Sequence, residues 1–189
     1  MALVVVTITS AALLLTGCST DNSKAIEISS ARATTIKNSK SPVAQKVVAL
    51  ANGAGEIISA MGFKSILIGR DIASTDVDLK SVPIVTSGHQ VVAEKIIALT
   101  PDLVIVDKST GPQSALDALA VAGIRVVTTP EAWTLGDMAA KVRAIADAIG
   151  VPASGAALNA ALNSSLEKLQ ESPEKNRVVF LYLRGGSSI

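Results

Sequence analysis

From Lys46 onward, short runs of Val, Ile and Leu alternate with helical stretches, and Gly or Pro marks most of the changeovers. This alternation constrains the fold more than any other feature of the chain. Val47-Val48-Ala49-Leu50 reads as a buried strand, and Asn52-Gly53-Ala54-Gly55 turns into a predicted helix over 56–61 that Gly62 closes. A second strand is predicted over 65–69, and further strands over 103–106 and 124–128. Between and after them the spacing predicts helices over 91–99, 113–121 and from Thr134 or Asp137 to Ile149. Strands apolar at consecutive positions are buried on both faces, and their alternation with helices builds βαβ units around a mainly parallel sheet. The expected fold class is therefore α/β, a three-layer lobe over 44–152. Hydrophobic residues make up 49% of the 189 and charged residues 17%, enough apolar surface for a packed core. The net charge of +1 gives no footprint for nucleic acid.

The one histidine lies in Pro83-Ile84-Val85-Thr86-Ser87-Gly88-His89-Gln90, where a short apolar strand is expected to run into a glycine-opened loop. That places His89 beyond the carboxyl end of a strand, where open α/β sheets bind ligands. One histidine and one cysteine cannot build a zinc or iron cage of several nitrogen or sulfur ligands. A single imidazole does suffice as an axial ligand for a metal whose other positions are filled, such as a haem iron. Enzymatic signatures are thin. Gly53-Ala54-Gly55 sits where a dinucleotide-binding loop would. Its third glycine position is Ile58, and Gly69-Arg70 stands where the ribose-binding acid belongs. A tight strand-to-helix turn explains the two glycines as well, and a nucleotide-using α/β enzyme stays as the alternative from a different class. A purely structural surface lipoprotein is a third reading.

The first 17 residues read as a secretory signal, with an apolar run over 2–15 shorter than the roughly 20 residues a spanning helix needs. No Lys or Arg precedes that run. Leu15-Thr16-Gly17-Cys18 resembles a bacterial lipobox, in which the thiol of Cys18 receives a diacylglycerol. Residues 18–43, rich in Ser, Thr, Asn and Lys, then form a tether. At the other end, Leu158, Leu162, Leu166 and Leu169 recur at helical spacing within 153–171, a helix of about 28 Å. A new apolar strand follows at 177–183, close to the last residue, Ile189. The simplest expectation is that 153–172 is a connecting helix and that 177–189 begins a second lobe, cut short.

Gly53–Gly62, Ile68-Gly69-Arg70-Asp71, the run Ala93-Glu94-Lys95-Ile96-Ile97-Ala98-Leu99-Thr100-Pro101-Asp102-Leu103-Val104 and Ala122–Val127 together resemble the N-terminal lobe of substrate-binding proteins of ABC importers for haem, siderophores and cobalamin. The likeness covers about residues 44–184, and it is most specific over 94–104. Within that family Gly69-Arg70-Asp71 and Phe180-Leu181-Tyr182-Leu183-Arg184-Gly185-Gly186 are similar to the haem binders. The resemblance implies two lobes joined by one long helix, with the ligand in the cleft between them and no catalysis. It implies haem as the transported ligand, His89 as an axial iron ligand, and Arg70 and Arg184 as ligand contacts. Arg184 would pair with a tyrosinate or a haem propionate. Glu94 would dock on the permease, which works with its ATPase subunits, and Cys18 would hold the protein on the membrane. Tyr182 alternates with Val178 and Phe180, as a packed strand residue does. The family's axial tyrosine is expected just after Ile189, so the chain as it stands should bind haem weakly or not at all. A ferric siderophore or cobalamin is the alternative ligand within the same family.

Overall fold

The computed structural model describes residues 43–169. The expected signal, the tether up to Pro42, Cys18, Tyr182, Arg184 and the strand over 177–183 lie outside them. Among the described residues, four parallel strands form one sheet in the order β2 (Leu67–Arg70), β1 (Val47–Ala49), β5 (Leu103–Val106), β6 (Val126–Thr128). Two residues each of β3 (Thr86–Ser87) and β4 (Gln90–Val91) pair as an antiparallel hairpin.

The alternation of side chains along β1 and β5 separates two cores. Val47, Ala49, Leu103 and Ile105 face one helical layer, α1 (Ala54–Ala60), α4 (Met138–Ile149) and α5 (Pro152–Leu166). Val48, Val104 and Val106 face the other, α2 (Ala93–Ala98) and α3 (Gln113–Val121), where Ile96 and Leu119 are fully buried. Both faces are covered, as the unbroken apolar runs require. The expected three-layer α/β lobe is observed.

The register between β1 and β5 is held at both ends by carboxylates that flank β5. Asp102 accepts the backbone N–H groups of Gln45 at 2.7 Å and Lys46 at 3.1 Å, just before β1. Asp107 accepts the N–H of Asn52 at 2.9 Å, just after β1.

The two glycines of the β1–α1 turn have separate physical reasons. Gly53 has φ 71, in the left-handed region where other residues are disfavoured. Gly55 leaves room for the connection after β2, since a Cβ there would stand 2.9 Å from Cδ1 of Leu79. The space that a dinucleotide's pyrophosphate would need beside such a glycine is filled by this chain's own leucine.

Three local expectations are revised. Residues 83–85 form no regular strand, because only Ile84 bridges to Arg70 on the open edge of β2. The polar connection after β2 contains a 3-10 turn, Val77–Leu79, started by the Asp76 carboxylate accepting from the N–H of Asp78. The last helix ends at Leu166 and Leu169 is 58% exposed, so the leucine spacing overstates its length within the described residues.

α5 lies against α4 through Gly155, whose absent Cβ would overlap that of Ala146. Gly155→Val is expected to destabilise the fold by about 2 kcal/mol through overpacking. Urea unfolding followed by circular dichroism checks this, and an unchanged midpoint would show that the two helices separate at little cost.

Candidate functional site

All four strands of the main sheet run in one direction, so the loops that leave β1, β2 and β5 gather at one edge. A cavity of about 320 Å³ opens there, lined by Leu50, Asn52, Ala73, Thr86, His89, Val91, Ser109 and Thr110. Leu50 and Asn52 follow β1, Ala73 follows β2, and Ser109 and Thr110 follow β5. Thr86, His89 and Val91 come from the β3–β4 hairpin.

The hairpin presents the histidine. Ser87 pairs with Gln90, which leaves Gly88-His89 as a two-residue turn, and Gly88 takes φ 57 at the first central position. His89 is exposed. Its hairpin is fixed on both sides: Thr86 Oγ1 accepts the N–H of Ile72 at 3.2 Å, and the N–H of Val91 donates to the carbonyl of Gly111 at 2.9 Å. The imidazole is thus mounted on a tight, braced turn rather than on the open loop that the sequence suggested. The one local mark of this turn in the sequence is Gly88.

Asp107 is buried at the end of β5, with 3% of its surface exposed. Its Oδ1 accepts from the N–H and Oγ of Ser109, at 3.2 and 2.7 Å, and from Oγ1 of Thr110 at 3.0 Å. Its Oδ2 accepts from Asn52 and lies 3.7 Å from Nζ of Lys141, which α4 supplies and which is equally buried. Burial by itself would push this carboxyl up. The hydrogen bonds from Ser109, Asn52 and Thr110, with the Lys141 ammonium behind them, outweigh burial and hold it below the usual carboxylate range. Neither residue stands out in the sequence, because Asp107 reads as a strand-end turn residue and Lys141 as a helix-surface charge.

Arg70 is also buried, and its guanidinium is committed to the scaffold. Nε donates to the carbonyls of Leu79 and Val82, both at 3.0 Å, and Nη1 to those of Asp71 and Ser74, at 3.2 and 2.8 Å. It does not line the cavity; it gathers the 71–82 connection around itself. The physical reason is that an arginine at the end of an open-edge strand finds unpaired carbonyls in the connection that follows. Beside it, Asp71 accepts from the backbone of Ala73 and from Ser74. Glu56 on α1 shares this acidic corner. Burial raises its carboxyl above the usual value, and the charges of Asp71 and Asp76 add to the rise.

Glu94 is exposed in the first turn of α2, apart from the residues that line the cavity. Among the described residues, no group of three or more His, Cys, Asp and Glu side chains is placed to hold a metal ion. No helix among them is long and apolar enough to cross a membrane.

A family model described as periplasmic binding protein matches residues 47–189. The chain is similar to the crystal structure of the haem-binding protein HmuT, with a TM-score of 0.61 and 26% identity over 68% of this chain and 46% of that one. It is similar to a periplasmic haem-binding protein from Pseudomonas aeruginosa, with a TM-score of 0.61 and 29% identity over 67% and 46% of the two chains. It is also similar to the periplasmic haem-binding protein RhuT from Roseiflexus sp. RS-1 in its apo form, with a TM-score of 0.61 and 30% identity over 65% and 48%. The chain thus spans less than half the length of these structures. No curated protein matches it.

Proposed function

The chain belongs to the periplasmic binding protein family, and from that premise we propose that it takes part in capturing haem outside the cytoplasm and delivering it to an ABC permease, with His89 as an axial ligand of the iron. The observation that carries this reading is the exposed imidazole on a braced turn at the rim of a cavity on the strands' carboxyl edge. Haem needs little from the protein at its iron, because the macrocycle fills four positions and one or two axial groups complete the set. A bare iron ion would need a cluster of several protein ligands, which the described residues lack.

The rest of the system follows from the same reading. Glu94, exposed on α2, is the proposed docking charge for arginines of the permease, whose ATPase subunits drive import. The thiol of Cys18 is the proposed lipid anchor, and Arg184 the proposed partner of a haem propionate or a tyrosinate. Arg70, which braces the 71–82 connection, is a further proposed ligand contact. Binding and release, with no bond made or broken in the ligand, is the whole of the proposed activity.

Titration of the chain with haem, a ferric hydroxamate siderophore and cobalamin, side by side, tests the ligand. A weak haem Soret shift with no saturable change for the other two is expected. Preference for the siderophore or for cobalamin would overturn the haem reading and leave His89 as a lining residue only.

A further inference from the structure

We propose that Trp133 is the apolar platform on which the flat ring of the ligand rests, with Leu135 beside it, so that the site selects an aromatic macrocycle over an aliphatic iron chelate. The inference rests on the haem reading and adds what holds the ring, where His89 holds the iron.

Trp133 is the one tryptophan in the chain, and 81% of its surface is exposed. Leu135, two residues on, is 67% exposed. The largest apolar side chain of the protein thus stands in solvent, and the core makes little use of it. The backbone beneath it is nevertheless held. Oδ2 of Asp137 accepts the N–H of Trp133 at 3.2 Å, and the N–H and hydroxyl of Thr134 at 2.9 and 2.8 Å. A ring displayed on a fixed backbone loses little freedom when a ligand settles on it.

The segment that carries the indole is tied beside the cavity at both ends. β6 runs next to β5 in the same direction, so residues 129–134 leave the sheet at the edge where the cavity opens. Thr129 donates its N–H and its hydroxyl to the carbonyl of Val106, at 2.8 and 3.2 Å. At the start of α4, Nζ of Lys141 lies 3.7 Å from Oδ2 of Asp107. Val106 and Asp107 are consecutive, and from them springs the loop that brings Ser109 and Thr110 into the cavity. Trp133 follows Thr129 by four residues, a reach of at most about 14 Å. The indole therefore stands on the β6 flank of the cavity that His89 lines.

A porphyrin presents two broad apolar faces and carries its charge at the propionates. An axial imidazole covers only the centre of one face and leaves the pyrrole rings around it open. An indole on the same lobe matches those rings by offset stacking. A hydroxamate siderophore has no flat π face and gains less from the same side chain.

Metal-free protoporphyrin separates the ring from the iron, because His89 finds no metal in it. In a nitrogen–proton correlation spectrum the single indole Nε1–H is expected to move upfield as protoporphyrin binds, through the ring current of a stacked macrocycle. Trp133→Ala should weaken protoporphyrin and haem by the same factor, about tenfold, with the melting temperature and the Soret position of bound haem unchanged. Trp133→Phe should restore most of the affinity. An indole signal unmoved at saturating protoporphyrin, undiminished affinity in the alanine variant, or a loss confined to haem would each overturn the proposal. So would a signal moved by phosphatidylglycerol vesicles and not by protoporphyrin, which would assign the patch to a membrane surface. If haem gives no Soret shift, the haem reading fails separately and protoporphyrin decides: binding that depends on Trp133 would support the platform, and no binding would overturn it.

Discussion

Asp107→Ala is expected to lower the unfolding free energy by about 3–5 kcal/mol, the cost of leaving a buried charge without its partner. Lys141 is 3% exposed, and Asp107 is the anion paired with it. The truncation also strips the acceptor from two backbone N–H groups and two hydroxyls. Lys141→Met should cost clearly less, because Asp107 keeps those four donors. Urea unfolding of both variants measures the asymmetry, and equal losses would show that the ammonium rather than the hydrogen-bond set stabilises the carboxylate. The pH dependence has a definite sign. The folded-state pKa of Asp107 is below its unfolded value. The stability it contributes is therefore complete above the ordinary aspartate range, about pH 4, and is lost as pH falls through the lowered folded value. The alanine variant lacks this acid-labile part, so its deficit against wild type should shrink towards low pH.

His89→Ala is expected to abolish the haem-induced Soret shift and to weaken haem binding about 100-fold, or ~2.7 kcal/mol. The expectation follows from chemistry rather than packing. The chain has one histidine, so no second imidazole is available to replace it. The side chain is exposed, so its removal leaves no core cavity. The melting temperature should stay within error of wild type, which separates lost ligation from lost folding. Added imidazole should restore part of the spectrum by filling the vacated axial position. An unchanged haem titration in the variant would end the ligand assignment.

The layer structure was legible because a strand covered on both faces is apolar at consecutive positions, and Val47-Val48-Ala49-Leu50 and Leu103-Val104-Ile105-Val106 are unbroken runs of that kind. His89 was legible as a candidate for the same kind of reason, since it follows an apolar run and a glycine. What stayed hidden depends on contacts far apart in the chain. Asp107 meets Asn52 and Lys141 only once β1, β5 and α4 are packed, and nothing local marks either charge as buried. The scaffold role of Arg70 was hidden for a related reason. It arises only when the connection after β2 folds back and offers the guanidinium four carbonyls. The hairpin was missed because its strands have two residues each, below the length at which alternation becomes a pattern.

The two aspartates that flank β5 have a consequence for mispairing. Sliding β1 along β5 by two residues would keep every apolar side chain on its own face, so packing by itself discriminates poorly against that error. The slip would, however, carry Gln45 and Lys46 away from Asp102 and Asn52 away from Asp107 in the same movement. Asp102 would lose its two backbone donors and Asp107 its Asn52 donor, at opposite ends of the strand at once. The pair works as a vernier for the centre of the sheet: the native alignment is the one in which both acids hold backbone donors from the two ends of β1.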